Sequence, residues 1–84
     1  MDSRSFIKDA GLLVEDIKAF KMAYLSPEDE QVQGSALQKR TNALFQGLMN
    51  PTLPSAYKLR DAALDIGLFV DPNLQRRLAS FENI

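Results

Sequence analysis

Residues 6–29 read FIKDAGLLVEDIKAFKMAYLSPED, and this stretch decides the fold. Phe6, Ala10, Leu13, Ile17, Phe20 and Tyr24 recur at spacings of 4, 3, 4, 3 and 4. That is the a/d spacing of a helix that buries one face. Ile7, Val14 and Leu25 form a second line beside it, since each residue turns the helix by ~100°. Lys8, Glu15 and Asp16 fall on the far side, and Leu12 falls there with them. The stretch closes on Ser26-Pro27-Glu28-Asp29. Here a serine can cap, a proline takes a first-turn position where its missing N–H costs nothing, and acids meet the positive end of a helix dipole. The pattern predicts a first helix over about 5–25, capped by Asp2, Ser3 or Ser5, and a second from Pro27 to about 49. Only Ser26 is left to turn the chain, so the two form a long antiparallel hairpin.

Working outward, Leu37, Thr41, Leu44 and Leu48 give the second helix its stripe, flanked by Phe45 and Met49. Gly34 lies on the same face, either as a place for close backbone approach or as a tolerated weak spot. Asn50-Pro51 ends the helix, because a residue before proline avoids the α region. Ser55, or Thr52 with Pro54 inside the first turn, caps a third helix over about 55–67. Its stripe is Ala56, Leu59, Ala63, Ile66 and Val70, with Tyr57, Leu64 and Leu68 beside it. The alanines predict close helix–helix approach, and Gly67 is either a left-handed C-cap, the favoured reading, or a weak point inside a continuous helix. Asp71-Pro72 starts a fourth helix over about 72–82 on a narrow stripe of Leu74, Leu78 and Phe81. No strand-like alternation persists. The expected fold is all-α: a long helical hairpin with two shorter helices packed on it, one domain over residues 1–84.

Bulk composition narrows the function classes. A chain of 84 residues buries only about 60–65% of its unfolded surface. It has no cysteine and no histidine, so disulfides, thiolate metal sites and imidazole chemistry are all closed to it. Packing and self-association are the remaining sources of stability. Ten basic against eleven acidic residues leave a net charge of -1, without the basic excess of a nucleic-acid binder. Unbroken apolar runs are short, as in Leu12-Leu13-Val14, far below the ~20 of a membrane span. The start of the chain lacks the apolar core of a secretory signal, which makes the cytoplasm the default compartment.

Catalytic groups are scarce. Without cysteine or histidine the common nucleophile–base pairs cannot be assembled. Glu15-Asp16, Glu28-Asp29-Glu30 and the pair Asp61 and Asp65 are the carboxylate clusters. The second is accounted for by the helix dipole, and the third reads as a solvated helix face or a weak cation site. The four glycines are scattered, so no phosphate-cradling loop exists. The expectation is a non-enzyme with no cofactor, no metal and no small-molecule substrate.

Two local patterns point elsewhere. Leu59 to Leu68 looks like the first helix and turn of a helix-turn-helix, with a small residue at Ala63 and a glycine at Gly67. The motif, about 59–82, would present Asn73, Gln75, Arg76 and Arg77 to the major groove. Against it, Ala56 to Ile84 carries four basic and four acidic residues, and Asp71 would face the DNA. Asn50-Pro51-Thr52-Leu53-Pro54 resembles the two-proline turn between the helices of type III secretion needle subunits, which are of similar length. That resemblance covers about half the chain and implies a helical secretion-apparatus subunit. Ser26-Pro27 and Asp71-Pro72 add breaks that its pattern lacks.

The favoured expectation is contact. Leu12, Met22, Val32 and Phe69 all project away from the stripes. Several such residues in a small domain imply more apolar surface than one core covers. The predicted function is a protein-protein interaction module (an adaptor, chaperone or inhibitor of a larger partner). It acts through apolar helix faces and forms a homodimer.

Overall fold

A computed structural model of the chain describes residues 3–47 and 53–82, with side chains through Ser80. Among the described residues four helices follow one another: α1 (Ser3–Met22), α2 (Pro27–Phe45), α3 (Leu53–Asp65) and α4 (Pro72–Glu82). Among the described residues there is no strand, and no helix is long and apolar enough to cross a membrane. The all-α hairpin architecture expected from the spacing is the one observed.

α1 is the central element. Phe6, Ala10, Leu13 and Ile17 are its buried residues, the first four positions of the sequence stripe. It packs on both α2 and α3, whereas α2 and α3 barely touch each other. α2 runs antiparallel to α1, as the Asp16–Arg40 ion pair and the contact of Phe20 with Gly34 show. α3 runs parallel to α1, because Lys21 in the last turn of one pairs with Asp65 in the last turn of the other. Ala56, Leu59 and Ala63 are fully buried on α3, which explains the close α1–α3 packing: methyl side chains let two backbones approach. α4 is held by the buried Leu74 and Leu78 and by the Tyr57 hydroxyl, which donates to the Leu78 carbonyl at 3.0 Å.

The helix boundaries follow local chemistry. Ser26 is extended (φ -63°, ψ 156°), and its Oγ accepts the Asp29 N–H at 3.2 Å. Asp71 caps α4 in the same way, accepting the Asn73 N–H at 2.9 Å. α3 ends in a Schellman motif, with Leu68 N–H on the Ala63 carbonyl (2.9 Å) and Gly67 N–H on Leu64 (3.0 Å). Gly67 takes φ +77°, as the C-cap reading requires. A Cβ at Gly67 would meet nothing within 4 Å, so only backbone strain opposes a side chain there. Gly67→Ala is expected to destabilise the fold by about 1 kcal/mol. Thermal unfolding by circular dichroism should then show a midpoint about 4–8 °C lower.

Several details differ from the sequence expectation. α1 stops at Met22, and four residues, Ala23 to Ser26, make the turn rather than Ser26 alone. The chain cannot stay helical up to Pro27, because the preceding residue is forced out of the α region and the reversal needs span. Tyr24 therefore leaves the stripe and is fully exposed. Ser3 and Ser5 lie within α1, and Ser55 lies within α3, which begins at Leu53. Of the second lines, Ile7 and Leu64 are exposed, while Val14, Tyr57 and Leu68 pack against the core. At Gly34 a Cβ would meet the Phe20 ring at an ordinary 3.6 Å, so no backbone approach depends on the glycine. Asp2, Leu48, Met49, Asn50, Pro51, Thr52 and the side chain of Phe81 lie outside the described residues.

Candidate interaction surface

One buried polar side chain is present among the described residues, Thr41, and its hydroxyl donates to the Leu37 carbonyl at 2.8 Å. No group of three acidic side chains gathers there at a cation-sized point. Asp61 and Asp65 point to separate cations, Arg60 and Lys21. The distinctive features lie on the outside.

Leu12, Met22, Val32 and Phe69 are 54%, 78%, 68% and 63% exposed. They do not form one cluster. Leu12 and Val32 sit on the hairpin, Leu12 beside α2 and Val32 in the unburied first half of that helix. Met22 and the fully exposed Tyr24 mark the hairpin's tip. Phe69 lies in the α3–α4 connection, beside a groove bounded by Phe45, Asn73 and Leu74. The Phe69 backbone is fixed by Gln38, whose side-chain amide both donates to its carbonyl (2.8 Å) and accepts its N–H (2.7 Å). That clasp ties the α3–α4 connection to α2 and holds the Phe69 ring at a defined place. Nothing in the periodicity of α2 announced it, because a glutamine on a helix flank looks like ordinary solvated surface.

The hairpin presents a second face that sequence reading passed over. On α1 and just past its end, Leu12, Asp16, Ala19 and Ala23 recur at 4, 3 and 4, one step around from the core stripe. On α2, Val32, Ala36, Arg40 and Ala43 recur at 4, 4 and 3. All eight are exposed, and seven of them, all but Val32, line a shallow groove between the helices. The Asp16–Arg40 ion pair (2.8 Å) bridges its middle. α3 packs on the other flank of α1, beside Val14, Ile17 and Lys21. The signal was present as a second heptad line, but alanines carry too little hydrophobicity to register in a stripe search.

The helix-turn-helix residues are placed unequally. Asn73, Arg76 and Arg77 are exposed on α4. Gln75 is partly buried, and its amide turns back to donate to the Val70 carbonyl at 3.1 Å. The two-proline turn compared with needle subunits is described only from Leu53 onward. Set against protein-family models, curated proteins and solved structures, the chain matches none of them.

Proposed function

We propose that this protein works by contact with other protein surfaces, a second copy of itself first among them, through the apolar faces of its helices. Such a module serves as an adaptor, a chaperone or an inhibitor of a larger partner. The observation that carries the reading is surplus surface. The chain exposes 5685 Å², whereas a compact monomer of 9.4 kDa exposes about 5000 Å². Its radius of gyration is 13.0 Å, against roughly 12 Å for a compact 84-residue domain. The excess, roughly 700 Å², is close to the ~800 Å² that each partner gives to a standard interface. Among the described residues seven large hydrophobic side chains are at least 45% exposed, so the surplus includes apolar area that water disfavours.

Light scattering coupled to size exclusion, run at several loading concentrations, tests this directly. The expected mass is twice 9.4 kDa, held across micromolar loadings. A mass that stays at 9.4 kDa throughout would refute self-association.

A further inference from the structure

We infer that the second copy docks on the α1–α2 face opposite α3, forming a four-helix bundle in which α1 of each copy lies over α2 of the other. The inference rests on the self-association proposed above and names its surface and symmetry. Two exposed knobs, Leu12 and Val32, stand on this face among exposed alanines. The antiparallel register fixed by the Asp16–Arg40 pair sets Leu12 level with Ala43, Ala19 with Ala36, and Ala23 with Gln33, the neighbour of Val32. A two-fold axis along the hairpin therefore seats each Leu12 on the partner's Ala43 and each Val32 beside the partner's Ala23. Large meets small at both ends, and small meets small in the middle, the condition for close packing without voids.

Charge selects this axis over the alternative. Glu15 lies on the outer edge of α1, and its only ion pair among the described residues is Lys18 at 3.8 Å, both side chains over two-thirds exposed. Lys39 lies on the outer edge of α2 and has no ion pair among the described residues. The axis along the hairpin brings Glu15 to the partner's Lys39, twice by symmetry, and joins two Asp16–Arg40 pairs into an alternating quartet. An axis across the hairpin would stack α1 on the partner's α1, setting Glu15 against Glu15 and Lys39 against Lys39. Like charges directly opposed disfavour that packing. The area suffices: a face ~30 Å long and two helix diameters (~20 Å) wide has a plan area of roughly 600 Å². Both copies together then cover about 1,200 Å², the lower bound for a stable specific interface.

Ala36→Arg places a charged side chain at the centre of this face, at a position exposed in the single chain. The expected result is a scattering mass halved from that of the parent, with an unchanged helical spectrum. Symmetry is read by mixing Ala19→Cys and Ala36→Cys chains and treating them with a short bis-maleimide, since the chain has no thiol of its own. Covalent dimer is expected in the mixture and not in either variant alone. A monomeric parent protein removes the self-association reading and this inference with it. A dimeric parent whose Ala36→Arg variant stays dimeric leaves that reading standing and overturns the inference. Linkage of Ala19→Cys to itself overturns it too, because it places α1 over α1.

Discussion

Phe6→Ala is expected to cost about 3–5 kcal/mol, the range for emptying a buried aromatic site. Phe6 is 0% exposed although it sits in the second turn of α1, where helix ends normally fray. It joins a core cluster that draws residues from α1, α2, α3 and α4. A domain of 84 residues has a total stability of about 4–13 kcal/mol, so this one side chain accounts for roughly a quarter of it or more. At about 4–8 °C per kcal/mol the thermal midpoint should fall by well over 10 °C, measured by circular dichroism at fixed protein concentration. Tyr24→Ser is the matched control, because Tyr24 is fully solvated despite belonging to the same sequence stripe. Its effect on the fold should stay within ~0.5 kcal/mol. Equal shifts for the two variants would mean that the stripe continues beyond Met22 and that the four-residue turn is wrong.

Phe6 and Tyr24 also mark where sequence reading holds and where it stops. Between Phe6 and Ile17 the hydrophobic period settled the buried face, because a helix has one stripe to hide and these residues lie on it. The starts of α2 and α4 were legible at Ser26-Pro27 and Asp71-Pro72, where capping oxygen and proline act within four residues and need no tertiary context. Gly67 was legible for the same reason, since a left-handed C-cap is a local demand. The end of α1 was not. Its last turn and the loop compete for Ala23 to Leu25, and the geometry of chain reversal decides between them. The exposed Leu12, Met22, Val32 and Phe69 could be picked out as off-stripe. That Leu12 borders a groove with Arg40 and Ala43 could not, because it depends on the register between two helices. The Gln38 clasp on Phe69 spans 31 residues and has no periodic signature at all.

Ala63→Leu is the second substitution with a large expected effect, about 1–3 kcal/mol of destabilisation. Alanine and leucine differ little in helix propensity, so any loss must come from packing rather than from the helix itself. Ala63 is 0% exposed on α3, in the element that packs most closely on α1, and its carbonyl also accepts the Leu68 N–H that closes the helix. Three added carbons have nowhere to go unless α3 moves off α1, and that movement would strain the cap as well. Urea unfolding should show a lower midpoint at an unchanged slope, since the surface exposed on unfolding is the same. The identical change at Ala36 separates the two roles that alanine plays in this chain. Ala36 is exposed, so Ala36→Leu should leave the unfolding of the dilute monomer within ~0.5 kcal/mol. Where copies meet, the added carbons would crowd the partner's Ala19 and shift only the concentration dependence of the scattering mass. If both substitutions instead lowered the urea midpoint of the dilute protein equally, Ala36 would belong to the core and the hairpin would have no free second face. A clean division between them, fold for Ala63 and association for Ala36, means that the alanines of α3 close the molecule while those of the hairpin leave it open to a partner.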